Sequence, residues 1–588
     1  MSWHAWFAIA VVAVTLSTLI FTRFATHLVM LAAMTALLLA GVIDAQSALA
    51  GFANPGLVTV AAMFVVAAGV HGSGGIDILV NHVLGKPRSL ASAILRIAVP
   101  VSLLSGFLNN TPVVATMIPA VKRWGARIQQ PVSKLYIPLS YAAILGGTLT
   151  MIGTSTNLVV NGQVQQITGG EGFGLFDITA IGIPVLIAGI GLMWWFFPKW
   201  LPRNDVEHVF ANKREFTLEV SVTPNGPLEG KSIKAAGLRA LERVFLVEIG
   251  RGNNIISAVP PTMELRGGDR LVFAGETDAV SDLLHINGLE PSVTDSTPII
   301  DRNDPDRRLV EVVVSQHCSA IGEAIRDSKF RERYGAVVLA VARNGQRVQG
   351  NLSNITLTAG DTLLLEARSA FVSRQRYNRD FLLVNDLEAE PPRYGRAYLA
   401  WGLLLAVVVA AATGALSMLQ ASLVGAIGMV VTGCCSVSQA EKSLDLPVLL
   451  TIAASFALGA ALKETGVAEV LAEVLVGWGR GDAWLLLILT YLMVVLLTEV
   501  ITNNAAALLA LPIVMHTTQL LGVPFEPYVM AIMIAASASF ITPLGYQTNL
   551  MVYGPGGYRF ADFIKVGIPM SLLVGCVAIV TIGLVYSL

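Results

Sequence analysis

The sequence predicts a polytopic α-helical membrane protein, with two similar apolar halves flanking a soluble α+β insert. Three observations carry this reading. Of 588 residues, 54% are hydrophobic and 13% are charged, against about 25% charged in an average soluble domain. The charge is concentrated between residues 200 and 395, where no run is long enough to cross a bilayer. Polar and Pro-containing breaks recur in the two apolar parts at nearly constant spacing. An ordinary soluble enzyme is excluded on composition. The net charge of −1 lacks the basic excess of a nucleic-acid binder, so no nucleic-acid partner is expected.

Membrane half 1 is expected over 1–199, with apolar runs near 5–22, 27–43, 57–70, 90–108, 134–152 and 175–198. The first run has neither a basic leader nor a small-residue cleavage site and reads as a retained helix, not a signal peptide. Membrane half 2 is expected over 395–588, with runs near 397–417, 421–437, 447–462, 483–500, 526–541 and 565–586. Lys199, Arg203, Lys213 and Arg214 flank the insert on one side, and Arg393 and Arg396 on the other. Basic residues collect on the cytoplasmic side. The insert is therefore expected in the cytoplasm, and the protein in a bacterial inner (plasma) membrane.

The halves match at an offset of about 392. Thr59-Val-Ala-Ala-Met-Phe64 faces Thr451-Ile-Ala-Ala-Ser-Phe456, Pro55 faces Pro447, and Gly74 faces Gly466. Asn110 faces Asn503, Pro119 faces Pro512, and Thr156-Asn157 faces Thr548-Asn549. Shared Pro, Asn and Thr-Asn in one order point to duplication. Six runs per half conflict with the odd number of crossings an inverted repeat needs. Whether one run per half is interfacial or flanks the repeat stays open. In duplicated secondary carriers, broken segments at matching positions mark the binding site near the midplane.

The first pair of breaks is Leu108-Asn-Asn-Thr-Pro112 and Ile501-Thr-Asn-Asn-Ala505. A short apolar stretch of about ten residues follows each, too short to span, so each reads as a re-entrant hairpin. A half-helix starting there turns free N–H groups and its positive dipole end to the midplane, which suits an anion. The second pair is Gly153-Thr-Ser-Thr-Asn157 and Thr542-Pro-Leu-Gly-Tyr-Gln-Thr-Asn549. Unwound backbone, hydroxyls and amides there supply the hard oxygens Na⁺ requires. Asn and Thr could also simply tie helices together, at about 0.6 kcal/mol per bond; four breaks in two matched pairs favour a site. Glu499 is a carboxylate inside an apolar run, functional by default. It reads either as a proton or cation site or as a structural acceptor for hairpin N–H groups.

Cys434 and Cys435, two of four cysteines, sit in an apolar run and read as packing residues. No zinc-spaced cluster and no P-loop is present. ATP-driven pumping by this chain is thus not expected, nor is an enzyme or a bound cofactor. An ion gradient remains as the energy source.

These segments resemble the divalent-anion:sodium symporter family of the ion-transporter superfamily. Gly51-Phe-Ala-Asn-Pro55, Ile137-Pro-Leu-Ser-Tyr-Ala-Ala-Ile-Leu-Gly-Gly147 and Pro543-Leu-Gly-Tyr-Gln-Thr-Asn-Leu-Met-Val-Tyr-Gly-Pro-Gly-Gly557 carry the resemblance with the four breaks. It implies an inverted-repeat ion-transporter fold with two re-entrant hairpins and discontinuous helices, a scaffold and a moving subdomain, and a homodimer working as an elevator. The family's Ser-Asn-Thr motif at each hairpin tip binds substrate and Na⁺. Asn109, Asn110 and Thr111 match the first tip, and Thr502, Asn503 and Asn504 the second, both with substitutions. Those substitutions favour a compact oxyanion such as sulfate over a dicarboxylate. Gly153, Thr154, Ser155, Thr156 and Asn157, with Gly545, Tyr546, Gln547, Thr548 and Asn549, match the family's Na⁺ loops. Na⁺ is the expected coupling ion and only metal.

The insert is itself duplicated, at an offset of 92: Arg251 faces Arg343, and Gly268-Asp269 faces Gly360-Asp361. Strands are expected at Phe245-Leu-Val-Glu-Ile249 and Leu271-Val-Phe273, and at Val337-Val-Leu-Ala-Val341 and Leu363-Leu-Leu365, with the Gly-Asp turns signalling hairpins. Charged segments 235–243 and 320–333 read as helices. The order resembles two tandem TrkA-C domains, at about 215–290 and 307–388. That resemblance implies small α+β domains that dimerise and sometimes bind a regulatory ligand; a scaffold role is equally open. Two rival functions remain: a cation:proton antiporter or metalloid-efflux carrier on the same scaffold, and a membrane-anchored ligand sensor.

Overall fold

The computed structural model describes residues 2–21, 24–75, 84–85, 87–170, 172–203, 217–238, 241, 244–251, 254–257, 262–275, 286–291, 307–315, 318–343, 346–348, 352–368, 371, 375, 380–386, 396–499, 501–543 and 545–588. The chain divides into two compact units. One holds Met1–Arg203, Pro391–Val552 and Tyr558–Leu588; the other holds Asn204–Glu390 with Tyr553–Gly557.

The first unit is helical. Its first half runs α1 (Trp3–Phe21), α2 (Thr26–Leu39), α3 (Ala45–Leu49), α4 (Pro55–Gly72), α5 (Leu90–Ser105), α6 (Asn110–Arg127), α7 (Tyr136–Gly147), α8 (Ser155–Thr168) and α9 (Thr179–Trp200). The helices of its second half, numbered after one short helix of the insert (α10, below), are α11 (Ala397–Ala412), α12 (Met418–Val431), α13 (Val437–Ser443), α14 (Leu446–Glu464), α15 (Val467–Gly479), α16 (Ala483–Thr498), α17 (Asn503–Leu521), α18 (Glu526–Ser537), α19 (Gln547–Tyr553) and α20 (Phe560–Tyr586). Helices α9, α14, α17 and α20 are long and apolar enough to cross a membrane, as is the stretch from α3 through α4.

Local chemistry starts these helices alike in both halves. Asn54 Oδ1 accepts from Gly56 N at 2.8 Å ahead of α4, with Pro55 in the first turn. Asp445 Oδ1 accepts from Val448 N at 3.3 Å ahead of α14, again with Pro in the first turn. Such caps satisfy N–H groups the helix leaves open. Ser89 and Asp482 cap α5 and α16 in the same way. Packing across the halves is reciprocal: α4 lies on α12, α14 on α2, and α9 on α20.

The break regions fall where the sequence puts them, with one correction. The helices after the hairpin tips are not stubs of about ten residues: α6 has 18 and α17 has 19. The apolar stretch is short, but the helix continues through the polar residues beyond it, past Pro119 and Pro512.

In the second unit each insert copy forms a five-stranded antiparallel sheet. The first contains β1 (Thr217–Val222), β2 (Val244–Arg251), β3 (Asn254–Ser257), β4 (Arg270–Gly275) and β5 (Leu289–Pro291), ordered β3-β2-β4-β1-β5. The second contains β6 (Arg307–Val314), β7 (Ala336–Arg343), β8 (Gln346–Arg347), β9 (Thr362–Arg368) and β10 (Phe381–Asp386), ordered β10-β6-β9-β7-β8. Matched strand for strand, the orders coincide, and the bulge between Leu246 and Glu248 recurs between Val338 and Ala340.

Two expectations for the insert are corrected. The segment 320–333 is not one helix: only α10 (Phe330–Tyr334) is helical, because Gly322 and Lys329 have left-handed φ of 81° and 49° and Ala324 bridges to Thr356. Residues 235–238 are turns, and most of the rest of 235–243 lies outside the described residues. The Gly-Asp turns do not close hairpins between the strands flanking them. Asp269 accepts at its carbonyl from Val222 N at 2.8 Å, and Asp361 from Val314 N at 2.9 Å, so each turn locks onto the first strand of its copy. Arg251 Nε and Nη2 donate to Asp269 at 2.8 and 2.6 Å, and Arg343 to Asp361 at 2.7 and 2.8 Å. These paired bonds hold each Arg above its usual pKa and make it a structural turn residue.

Candidate substrate and ion site

The four breaks meet in the first unit. Asn109 caps α6, its Oδ1 accepting from Thr111 N at 3.3 Å. Asn110 is buried, and its Nδ2 donates to Tyr546 Oη at 2.7 Å. Thr111 Oγ1 donates to Gln547 Oε1 at 3.1 Å. The Asn109–Thr111 break, the first tip, thus touches the loop of the second half.

The converse holds for the second tip. Asn504 Oδ1 accepts from Thr156 Oγ1 at 3.0 Å and lies 3.4 Å from Ser155 Oγ. Asn503 Oδ1 accepts from Thr498 Oγ1 at 3.3 Å. Thr502 begins α17 with an exposed side chain that caps nothing. Thr111 to Gln547 and Asn504 to Ser155 are the same contact in exchanged halves, at offsets of 393 and 392.

Each loop is pinned by its Asn. Asn157 Nδ2 donates to Gly147 O at 3.3 Å and Thr150 O at 3.1 Å. Asn549 Nδ2 donates to Ser539 O at 3.0 Å and Thr542 O at 3.2 Å. Ser140 Oγ lies 2.9 Å from Thr548 Oγ1 and 2.7 Å from Asn549 Oδ1. The first tip and the first loop converge through one glycine: a Cβ on Gly147 would lie 3.0 Å from the Asn110 amide, while the Gly147 carbonyl binds Asn157. Gly153 and Thr154 complete the first loop, and Gly545 N donates to Thr542 Oγ1 at 3.0 Å in the second.

Glu499 caps the C-terminal end of α16, three residues before Thr502. Its carboxylate accepts from Ile541 N and Thr542 N, both at 3.1 Å, and from Thr542 Oγ1 at 2.8 Å. These N–H groups belong to the second loop and not to the segment that carries Glu499.

One residue escaped the reading of the sequence. Ser105 is fully buried, and its Oγ has no hydrogen-bond partner. It precedes Asn109 by four residues, as Thr498 precedes Thr502, and that matched spacing could have found it. Asn110 Oδ1 and Asn157 Oδ1 are likewise buried without partners. Unpaired buried oxygens are costly unless something binds them. Three of them beside the first loop fit a small hard cation. No group of three His, Cys, Asp or Glu side chains converges among the described residues, so any such cation would be held chiefly by neutral oxygens.

An apolar helical unit whose breaks meet in a polar site defines a membrane transporter. The profile of the CitMHS citrate transporter family matches residues 16–421 and 405–588, and the chain belongs to that family. It is 36% identical to a Chlamydomonas reinhardtii protein named as a sulfur deprivation response regulator, over 93% of this chain and 96% of that one. It is 31% identical to an uncharacterized transporter of Synechocystis, over 94% and 92%, and 27% identical to sodium/sulfate cotransporter 1 of Chlamydomonas reinhardtii, over 98% and 89%.

Proposed function

We propose that the protein is a Na⁺-coupled symporter of a divalent oxyanion, sulfate first. The carrying observation is the reciprocal contact of each hairpin tip with the opposite loop. It brings Asn110, Thr111 and Asn504 onto the opposite loops, and the substrate would be held by Asn109, Asn110, Thr111, Thr502, Asn503 and Asn504 at the N-terminal ends of α6, α8 and α17. Neutral donors and helix N-termini suit a compact dianion without fixing a compensating cation in the membrane. Na⁺ would be held by oxygens of the two loops, Gly153 to Asn157 and Gly545 to Asn549, with Ser105 added to the first. Relatives named as sodium/sulfate cotransporters support both ion and substrate.

The matched helix order and reciprocal packing support an inverted repeat, and with it an elevator motion in a homodimer. The duplicated sheets support a pair of TrkA-C domains at 215–290 and 307–388, in the cytoplasm of a cell with this protein in its inner membrane, where a small ligand would regulate transport. A second reading, transport of a carboxylate anion, is favoured by the family's description as citrate transporters. Uptake of labelled sulfate, competed by citrate, succinate, molybdate and arsenite, separates them. Sulfate uptake that citrate does not inhibit supports the first reading; citrate uptake without sulfate uptake overturns it. Loss of all flux, with ligand binding by the insert, would favour a sensor.

A further inference from the structure

We infer that the two ion loops are electrostatically unequal: Glu499 makes the second-half loop a negatively charged cation site, while the first-half loop is a neutral one. The inference rests on the symport reading for what the loops hold, and adds which of them carries charge.

Gly153 and Gly545 are equivalent at an offset of 392. A Cβ on Gly153 would meet backbone carbonyls, Gly147 O at 2.7 Å and Ser105 O at 3.0 Å. A Cβ on Gly545 would overlap Ser539 Oγ and lie 3.1 Å from Thr542 Oγ1 and 3.2 Å from Glu499 Oε2. The same small space is thus faced by carbonyl dipoles in one half, and by two hydroxyls and a carboxylate in the other. The hydrogen bonds differ in the same sense. Thr150 Oγ1 donates to the backbone carbonyl of Gly106, whereas its counterpart Thr542 donates to the side chain of Glu499, which stands where Gly106 would.

The carboxylate has no basic partner among the described residues. Three donors use three of its roughly four acceptor directions. Ser539 Oγ, fully buried, also approaches this carboxylate, short of a well-formed hydrogen bond. An unpaired carboxylate within an apolar unit is unfavourable unless a cation joins it. A monovalent cation between Glu499, Ser539 and Thr542 supplies that partner without breaking the bonds to Ile541 and Thr542. Glu499 therefore positions the loop and sets the charge of its site.

The test is binding of ²²Na⁺ to the purified full-length protein without sulfate, alongside thermal melting with and without Na⁺. Glu499→Gln keeps an acceptor and removes the charge. It is expected to weaken one binding component by about ten-fold, roughly 1.4 kcal/mol, and to shrink the Na⁺-dependent rise in Tm while leaving Tm without Na⁺ unchanged or higher. Ser539→Ala should weaken the same component less, and Ser105→Ala only the other. Should Glu499→Gln not fold, Gly545→Ala, which keeps the charge and fills the space, is expected to lose the same component. An isotherm indistinguishable from wild type, or a Tm lowered equally with and without Na⁺, overturns the inference in favour of a structural clamp. Failure of the wild type to take up sulfate would overturn the symport reading but leave the isotherms to decide this one.

Discussion

Asn157 and Asn549 make the same pair of bonds 392 residues apart, each amide reaching the carbonyls ten and seven residues before it. They differ in the other half of the amide: Asn549 Oδ1 meets Ser140 Oγ at 2.7 Å, whereas Asn157 Oδ1 is unpartnered. Replacing either by Ala removes two hydrogen bonds to buried carbonyls, at about 1–3 kcal/mol, although Thr150 O keeps Gly153 N at 3.3 Å. Both variants are expected to lower Tm and reduce uptake at least several-fold. Asn549→Ala, which also removes the 2.7 Å partner of Ser140 Oγ and leaves it Thr548 alone, should show the larger drop in Tm by differential scanning fluorimetry. Equal Tm values would contradict the asymmetry.

Tyr546→Phe removes the partner of Asn110 without changing the packing volume much. A neutral hydrogen bond contributes about 1 kcal/mol, so the KM for sulfate is expected to rise roughly 3–10-fold. Thr111→Val, which loses its bond to Gln547, should act similarly. Initial-rate uptake against sulfate concentration reads both. Unchanged KM with lower maximal rate would place these contacts in the moving step and not in substrate binding.

Ser105 and Thr498 occupy matched positions but differ in partners. Thr498 Oγ1 donates to Ala536 O at 2.9 Å, while Ser105 Oγ is unpartnered. Ser105→Ala should leave Tm without Na⁺ unchanged and raise the Na⁺ concentration for half-maximal uptake. Thr498→Ala should lower Tm as well. A Ser105→Ala protein with wild-type Na⁺ dependence would remove Ser105 from the ion site.

The sequence made the breaks legible because Asn, Thr and Gly inside apolar runs have few other uses. The pairing of breaks was not legible. Nothing in the order of residues says that Thr111 meets Gln547, or Asn504 meets Thr156, since both are contacts between elements roughly 350 or more positions apart. Ser105 was missed because a Ser ending an apolar helix usually bonds a carbonyl four residues back, as Ser102 does with Ala98. The helix expected over 320–333 failed for a different reason: charge and propensity suggested it, but Gly322 and the bridge from Ala324 to Thr356 decided the backbone. Propensity yields to such tertiary pairing.

Arg251 and Arg343 anchor the turns of the two insert copies, each binding an Asp whose side chain is 1% exposed. Arg→Ala in either copy leaves that carboxylate buried without its partner. The expected cost is about 1–3 kcal/mol, at the lower end for Arg343, whose side chain is 38% exposed. Hydrogen exchange on the full-length protein should report faster exchange confined to the altered copy. Exchange spreading equally through both copies would contradict their independence.

The symport claim is tested most directly by sulfate uptake into proteoliposomes holding the purified protein, with external Na⁺ replaced stepwise by choline at constant ionic strength. Uptake is expected to rise with an inward Na⁺ gradient and to collapse in choline. Sulfate uptake that proceeds equally in both would contradict Na⁺ coupling.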